Sequence, residues 1–359
     1  MSSTILFLVP YPLKESPSQR FRFEQYFHVL EQHGHRYQVQ SFLDSHNWRT
    51  FYTSGKILKK IVTLFRGFGK RSGILFRLFS YDFIFIHREA APVGPPLFEW
   101  IIAKILRKKI IYDFDDAIWL TDNAHEHAIE KMIRWRSKVR TICKWSYRIS
   151  CGNEYLCAFA RQYNSIVVYN PTTIDTVGLH KPLKINPTNK DKVTIGWTGS
   201  HSTLKYLKTI EPTLAKLEKE YPQSEIMIIA NQNPNLQLQS LKFLPWKIET
   251  ESEDLSKIDI GIMPLPDDEW TKGKCGFKAL QYMAMGIPTV VSGVGVNVRI
   301  VDHSINGFHA TTQMDWFDFL SRLINDQALR KAMGESGRKK VIDYYSVSSN
   351  TSTFLSLFL

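Results

Sequence analysis

Short apolar runs alternate with helical stretches along this chain, and the whole alternation occurs twice. The first set of runs predicts strands at residues 5–9, 37–42, 81–87, 109–114, 147–151 and 166–169, and the second set predicts strands at 193–197, 225–230, 246–249, 259–264 and 289–292. Strands separated by helices of ~10–15 residues are typical of parallel α/β units. We therefore predict an α/β protein with two doubly wound, Rossmann-like domains.

A polar linker and a helical C-terminal region complete this organisation. Helical patterns occupy residues 21–33, 97–106, 154–162, 202–218, 277–285 and, with an interruption at Gly334 and Gly337, 316–358. The polar, proline-bearing stretch 169–191 is typical of a linker. We expect one domain at 1–175, a second domain at 190–335 and a C-terminal helix at 336–359 that packs back towards the first domain. The two domains are expected to face each other across a cleft, because such sheets bind ligands beyond the carboxyl ends of their strands.

Length and composition agree with a globular protein of two domains. The chain has 359 residues, of which 43% are hydrophobic and 22% charged. Its four cysteines form no CxxC pair, and the apolar run 5–9 is too short for a signal sequence or a membrane span. We therefore expect a cytoplasmic protein with reduced cysteines.

The formal net charge of +12 suggests an anionic partner. No zinc-finger spacing, RNP motif or basic heptad region occurs, so nucleic acid is not the predicted partner. Basic residues instead alternate with apolar ones in two stretches, 49–77 and 131–148. This composition is typical of a helix that lies on an anionic membrane surface, and equally of a solvated helix face. The first alternative predicts a peripheral protein on the inner face of the cytoplasmic membrane.

A glycine turn follows the predicted strand at 193–197. The sequence Gly196-Trp-Thr-Gly-Ser-His leads from that strand into the predicted helix, and its glycines allow the backbone to approach a ligand closely. Amides at such a turn bind phosphate, whereas the alternative is that Ser202 or Thr203 only caps the helix. The spacing is neither GxGxxG nor a P-loop, which disfavours dehydrogenases and kinases.

A loop rich in lysine and glycine precedes the predicted helix at 277–285. Lys272, Lys274 and Lys278 gather at the amino end of that helix, where cations oppose the helix dipole. An anion shared between these lysines and the free amides accounts for the arrangement, and an ordinary basic loop is the alternative. Gly286 then ends the helix before the next strand.

This segment carries a family resemblance. Lys274-Cys-Gly-Phe-Lys-Ala-Leu-Gln-Tyr-Met-Ala-Met-Gly-Ile-Pro-Thr-Val-Val-Ser resembles the donor-binding signature of GT-B glycosyltransferases, specifically glycosyltransferase family 4. The Gly196 turn is similar to the family's phosphate-binding loop, Asn306-Gly-Phe to the start of one of its strands, and Leu329-Arg-Lys-Ala-Met-Gly-Glu-Ser-Gly-Arg to its C-terminal helix pair. The resemblance implies the GT-B fold and transfer of a sugar from a nucleotide-sugar, with retention of the anomeric configuration.

The resemblance also implies which residues hold the donor. The donor-binding residues carried over from it are Gly199, Ser200, His201, Lys205, Lys274, Gly276, Phe277 and Gln281. Lys278 is assigned a catalytic role, because a cation beside the diphosphate stabilises the leaving group. The family's acidic pair is replaced, since its two positions fall at Gly273 and Gln281. No metal and no cofactor are expected.

Residues of the N-terminal half are expected to serve the acceptor. Asp115 and Asp116 follow the predicted strand at 109–114 and are predicted to line the cleft as catalytic carboxylates, whereas the alternative is that one of them caps the next segment. His87 closes another strand, and Arg20 matches the family's acceptor loop in position. Both are predicted to bind the acceptor.

Two hypotheses for the function follow. The first is a retaining glycosyltransferase that moves a sugar from a nucleotide-sugar to a glycan or a lipid-linked acceptor in the synthesis of cell-surface polysaccharide. The second is a catalytically inactive GT-B-like binding or scaffold protein, which the replaced acidic pair suggests.

Overall fold

The structure is a computed structural model that describes residues 2–46, 48, 55, 57–121, 128–182 and 192–359. The chain divides into two compact units. Unit 1 comprises Met1–Thr172 and Asn350–Leu359, and unit 2 comprises Thr173–Ser349. The predicted boundary between 335 and 336 falls inside a helix, and the chain leaves unit 2 only after Ser349.

Unit 1 is built on a parallel sheet of six strands. These are β1 (Thr4–Val9), β2 (Arg36–Ser41), β3 (Phe83–His87), β4 (Lys109–Phe114), β5 (Arg148–Cys151) and β6 (Val167–Tyr169). Their order in the sheet is β2-β1-β3-β4-β5-β6, and every neighbouring pair is parallel. The chain direction across the sheet therefore reverses between β1 and β3, and such a switch point is where doubly wound folds bind ligands.

Helices connect these strands. They are α1 (Pro17–Arg20), α2 (Phe27–Gln32), α3 (Ile57–Leu75), α4 (Leu97–Trp100), α5 (Ala128–Arg134), α6 (Lys138–Trp145) and α7 (Glu154–Arg161), with short 3₁₀ turns at Glu24–Tyr26 and Leu78–Ser80 and a π-helical turn at Ile101–Ile105. β1 and β3 are buried along almost their whole length because helices cover both faces of a parallel sheet. Phe7 on β1 contacts Phe23 and Phe85, with ring centroids 5.3 and 4.8 Å apart, at the centre of an aromatic core.

Unit 2 has a second parallel sheet of six strands. These are β7 (Val193–Gly199), β8 (Ser224–Ala230), β9 (Leu241–Pro245), β10 (Ile260–Met263), β11 (Thr289–Ser292) and β12 (Gly307–Ala310). Their order is β12-β11-β10-β7-β8-β9, all parallel. This is the Rossmann strand order, with its switch point between β7 and β10. The predicted α/β class with two doubly wound units is confirmed.

One of the predicted helices of unit 2 is divided in the structure. They are α8 (His201–Leu204), α9 (Glu211–Glu220), α10 (Glu251–Leu255), α11 (Glu269–Lys272), α12 (Phe277–Ala284), α13 (Asn297–Ile300), α14 (Gln313–Asn325) and α15 (Gln327–Tyr344). The single helix predicted at 202–218 is divided into α8, a 3₁₀ turn at Leu207–Thr209 and α9. Pro212 lies in the first turn of α9, where its missing amide proton is tolerated, so a new helix starts there.

The strand predicted at 246–249 is wrong. β9 ends at Pro245 instead, and the chain turns there into α10. β9 is the edge strand of its sheet, and a proline that cannot donate a ladder hydrogen bond is tolerated at such an edge.

The interruption predicted at Gly334 and Gly337 is also wrong, because α15 passes through both residues. A side chain at Gly334 would collide with the carbonyl oxygen of Gly286, and a Cβ at Gly337 would lie 3.2 Å from Cγ of Met283. These glycines allow α15 to pack closely against α12, so their role is packing and not helix termination.

The last ten residues belong to unit 1 and contain α16 (Thr351–Ser356). Phe354 stacks on Tyr26 at 4.2 Å between ring centroids, and Phe358 lies 5.8 Å from Phe83. The four cysteines of the chain are buried and free. Across the ranges that the structure describes, the helices are all too short or too polar to span a bilayer.

Candidate active site

The switch point of unit 2 joins the glycine turn to the lysine-rich helix. β7 ends at Gly199, and the amide of Thr198 donates a 2.8 Å hydrogen bond to the hydroxyl of Tyr282 on α12. Tyr282 is fully buried, and burial raises the pKa of its hydroxyl well above the usual value. The bond therefore fixes the end of β7 against α12.

Lys278 lies at this junction. Its ammonium group is 5.2 Å from the ring centroid of Trp197 on β7, a cation–π contact. A Cβ at Gly199 would lie 2.7 Å from Cε of Lys278 and 2.5 Å from the Trp197 ring. Gly199 therefore leaves the space that the lysine stem occupies, and a charged group of the first turn of α12 is placed at the carboxyl end of β7.

Gly276 determines how α12 begins. It has a left-handed conformation, with φ of 68°, and a side chain there would collide with Ile300. A glycine is therefore required directly before α12. Phe277, the first residue of the helix, is half-buried.

The other predicted donor residues lie around this junction with differing contacts. Lys274 is half-buried, with its ammonium 4.7 Å from the Trp270 ring, and Lys205 is exposed, 5.4 Å from the Tyr206 ring. The structure thus gives Lys278 the direct contact with the glycine turn.

Some polar groups of the glycine turn already form hydrogen bonds within unit 2. The backbone amide of His201 donates a 2.8 Å hydrogen bond to the side-chain oxygen of Asn231, so this amide already has an acceptor. The exposed Ser200 precedes it, and its hydroxyl lies 2.9 Å from that of Ser202. Helix α8 starts here, but no side chain caps it.

Gln281 is buried and engaged by two neighbours. Its amide nitrogen donates to Oε1 of Glu251 at 3.3 Å and to Nε2 of His180 at 3.1 Å. The expectation of a direct donor contact has to be revised for this residue, because its amide protons are used within the core of unit 2.

A cavity of about 240 Å³ lies on the same edge of the sheet. The loops that follow β10, β11 and β12 line it, with Leu265, Pro266, Ser292, Gly293 and Trp316 among its walls. Because β10 borders both this cavity and the switch point, the cavity and Lys278 lie over neighbouring strand ends.

In unit 1 the predicted carboxylates Asp115 and Asp116 are held by one arginine. Arg88 donates to Oδ1 of Asp115 at 2.7 and 2.9 Å and to Oδ2 of Asp116 at 2.7 Å. Burial lowers the pKa of Arg88, but the two carboxylates outweigh this effect and raise it well above the usual value. Residues 117–121 form turns and no helix, so the alternative in which these aspartates cap a helix there is not observed.

Arg88 is held in an unusual conformation. Its φ is 61°, in the left-handed region that residues with side chains rarely adopt. The Tyr112 hydroxyl donates to its carbonyl oxygen at 2.7 Å, and its amide donates to the carbonyl of Asp113. Such strain concentrates at functional sites.

His87 and Arg20 are less accessible than predicted. The His87 ring is fully buried and hydrogen-bonds Asp113 through Nδ1 at 2.8 Å, which excludes the predicted direct contact with an acceptor in this conformation. Arg20 is buried on α1, with its guanidinium 4.9 Å from the centroid of the Phe21 ring.

Comparison with known proteins identifies the family of unit 2. Residues 192–326 match the family model of glycosyl transferases group 1. The chain carries a group 1 glycosyltransferase domain. No curated protein sequence matches this glycosyltransferase.

Solved structures show the fold of the whole chain. Sucrose-phosphate synthase from Thermosynechococcus elongatus aligns with 99% of this chain and 98% of its own, at 14% identity and a TM-score of 0.72. HepE from Anabaena, solved with UDP and glucose, aligns over the same shares at 14% identity and a TM-score of 0.66. A glycosyltransferase from Rickettsia africae gives 13% identity and a TM-score of 0.69, again over 99% and 98%. The fold is GT-B.

Sequence reasoning did not pair the predicted site residues with Arg88 and Asp113. Arg88 directly follows a predicted site residue, His87, and could have been suspected for that reason. Asp113 pairs with His87 in the register of β3 and β4, a relation that requires the strand order. Among the described residues no group of three or more His, Cys, Asp or Glu side chains could hold a metal ion.

Proposed function

We propose that this glycosyltransferase moves a sugar from a nucleotide-sugar, with retention of configuration, to a hydroxyl of a glycan or a lipid-linked acceptor. The observation that carries the donor half of the proposal is the position of Lys278 against Gly199 and Trp197 at the switch point of unit 2. A cation fixed there suits a diphosphate, because ligands of this fold bind at the switch point. The cavity over β10–β12 has room for the base of the nucleotide.

The chemical task of Lys278 follows from the reaction. The acceptor oxygen bonds to the anomeric carbon, and the electron pair of the broken bond leaves with the diphosphate. Negative charge therefore grows on the diphosphate, and a preorganised cation stabilises it more in the transition state than in the ground state. HepE has been solved with UDP-glucose, which makes UDP-sugars the first donors to test.

Lys278→Ala tests this assignment. We expect a loss of about 2 kcal/mol or more of transition-state stabilisation, roughly a 30-fold fall in kcat/KM. The measurement is release of nucleoside diphosphate from a panel of UDP-, GDP- and dTDP-sugars. Lys278→Arg should keep part of the rate because it keeps the charge. Lys219→Ala, at an exposed lysine of the same unit, is the matched control and should leave the rate unchanged. Equal turnover in Lys278→Ala and wild type would refute the assignment.

Gln281 favours a second candidate function, an inactive binding or scaffold protein. The resembled family has a carboxylate at this position, whereas here an amide is engaged by Glu251 and His180. Thermal-shift measurements of binding, combined with the release assay on the same nucleotide-sugars, separate the two candidates. Binding without release or transfer by the wild-type protein would support the scaffold, and turnover would exclude it.

We further propose that unit 1 attaches to an anionic membrane surface through α3. Among the described side chains of this helix, four apolar ones are exposed at the spacing of a single stripe, and Leu58 and Phe65 have exposed fractions of 79% and 74%. Ile61 and Val62 lie between them, and Lys59 and Arg66 flank the stripe. A basic helix with an exposed apolar stripe is typical of interfacial binding.

The opposite face of α3 is anchored in unit 1. The guanidinium of Arg71 is fully buried and donates at 2.8 Å to the carbonyl oxygens of Val9, Gln40 and Ala90. Burial lowers the pKa of Arg71 to about 9, and Glu99 opposes this shift. The helix is thus fixed with its apolar stripe outward. Arg49 and Lys56 of the predicted stretch 49–77 lie outside the described residues.

The second predicted stretch, 131–148, contributes less to the proposed membrane-binding surface. Met132, Ile133 and Trp135 are exposed, but Val139 and Ile142 are buried in unit 1. Among the side chains that the structure describes, the large exposed apolar ones of this stretch therefore lie at its start.

Vesicle flotation tests the attachment. The paired substitution Leu58→Ser and Phe65→Ser should reduce binding to vesicles with anionic lipid at least about tenfold, since burying each side chain contributes roughly 1.5–3 kcal/mol. The control pair is Val177→Ser with Met314→Ser in unit 2, where the exposed fractions are 79% and 72%. Absence of wild-type binding, or equal loss in the control, would exclude attachment through α3.

A further inference from the structure

An aromatic pair, Tyr11 and Trp48, lies at the carboxyl edge of the sheet of unit 1. Tyr11 follows β1 and Trp48 follows β2, and their ring centroids are 4.5 Å apart with 57° between the ring planes. Both residues are half-buried. Arg88 follows β3, which is next to β1 in the sheet. Burial lowers the pKa of Arg88, whereas the two carboxylates that it holds and the Tyr11 phenol raise it, so the aromatic pair is a neighbour of this charged group.

Tyr11 is held in place by a buried glutamine. Gln19 on α1 is fully buried, and its Oε1 accepts a 2.9 Å hydrogen bond from the backbone amide of Tyr11. Nε2 of the same side chain donates to the carbonyl oxygen of Tyr11 at 3.0 Å. These two bonds fix the backbone of Tyr11 and involve neither its ring nor its hydroxyl.

The buried guanidinium of Arg71 joins the three loops concerned. It donates at 2.8 Å to backbone carbonyl oxygens at the ends of β1 and β2 and just after β3, those of Val9, Gln40 and Ala90. The loops that carry the aromatic pair and Arg88 therefore start from positions that are fixed relative to one another. A site whose parts are fixed in advance loses less conformational entropy when it binds a ligand.

Asp115 and Asp116 add hydrogen-bond acceptors beside the aromatic pair. They follow β4, and Arg88 holds both carboxylates. Their side chains keep exposed fractions of 12% and 18%. Sites for small molecules commonly combine aromatic walls with a few fixed polar groups. A sugar ring matches both parts, because its C–H face packs against aromatic rings and its hydroxyls donate to carboxylates.

We propose that Tyr11, Trp48, Asp115 and Asp116 bind a sugar ring of the acceptor, so that the acceptor is a glycan, with or without an attached lipid. This inference rests on the proposed glycosyl transfer and concerns unit 1 alone. The C–H face of the sugar packs against the two rings, and its hydroxyls donate to the carboxylates. An isoprenoid phosphate is disfavoured, because it has no hydroxyls along its chain and brings a phosphate charge beside two carboxylates.

Saturation-transfer-difference NMR with the full chain tests this site. The probes are the methyl glycosides of glucose, galactose, mannose and N-acetylglucosamine, with geranyl phosphate as the isoprenoid phosphate. Wild type should bind at least one glycoside, and Trp48→Leu should weaken that binding at least about tenfold, because it removes the aromatic face but keeps an apolar side chain. Trp48→Phe keeps a ring and should retain most of the affinity.

The matched control is Phe79→Ala. Phe79 is an exposed aromatic residue of the same unit, but it lies in the turn before β3, at the amino edge of the sheet. This variant should bind the glycosides as wild type does. Thermal denaturation of every variant checks that it is folded.

Three results would overturn the sugar site. They are absence of wild-type binding to all of the glycosides, equal affinity of wild type and Trp48→Leu, and binding of geranyl phosphate in place of the glycosides that is lost in Trp48→Leu. None of these measurements requires turnover. A wild type that binds a glycoside through Trp48 but transfers no sugar would instead support the site and refute the proposed function.

Discussion

At position 281 this chain has an amide where the resembled family has a carboxylate, and the surroundings explain why an amide is stable there. The Gln281 nitrogen donates to Glu251 and His180 inside unit 2. An acidic residue would face the Glu251 carboxylate with no proton to donate. The hydrogen bond to Glu251 therefore accounts for a glutamine at the position where the resembled family has a carboxylate.

Restoring the carboxylate should consequently harm the protein. We expect Gln281→Glu to lower the free energy of unfolding of unit 2 by about 2 kcal/mol, since it converts a buried donor–acceptor contact into two facing acceptors. Urea denaturation at neutral pH measures the change. Gln223→Glu adds the same charge at an exposed position of the unit and should stay within about 0.5 kcal/mol of wild type. A more stable Gln281→Glu protein would contradict this account of Glu251.

At the scale of helices and strands, the buried strands were the most predictable elements. β4 and β11 have the predicted bounds, because strands covered on both faces of a parallel sheet consist of continuous apolar runs. The helix predicted at 202–218 is divided, because a new helix starts around Pro212. The interruption predicted in α15 is absent, because Gly334 allows α15 to pack closely against α12. The local sequence shows where a glycine or a proline occurs. It does not show whether that residue ends a helix or allows another helix to pack closely.

The same limit applies to the candidate site. The residues of the glycine turn and of the lysine loop are each continuous in sequence, so their grouping at one switch point could be predicted. His87 and Asp113 come from separate strands, and their contact depends on β3 and β4 being neighbours. Strand order is set by the whole sheet, and no short stretch of sequence encodes it.

On the scale of the whole molecule, each unit has its own sheet, core and switch point. Polar groups are buried at the switch point of unit 1, where Asp113 holds Arg22 and His87. Burial raises the pKa of the Asp113 carboxyl, but Arg22 and the hydrogen bond from His87 outweigh it and leave this pKa well below its usual range. The stability of unit 1 is therefore linked to pH through this carboxylate.

Asp113→Asn should destabilise unit 1 by about 3–5 kcal/mol at neutral pH, because Arg22 is left buried without its counter-ion. A carboxyl whose pKa is depressed by folding contributes fully above its unfolded value of about 3.9, and the contribution is lost as the pH falls below that value. The difference in the stability of unit 1 between wild type and Asp113→Asn should thus be constant from neutral pH to about pH 5 and shrink below about pH 4.

Hydrogen exchange followed on β4, with β10 of unit 2 as internal reference, measures this difference in stability. Asp44→Asn, which breaks an exposed pair with Lys70 at 3.8 Å, should change stability by less than about 1 kcal/mol. Equal loss of protection on β4 and β10 would show that the units unfold together and not separately.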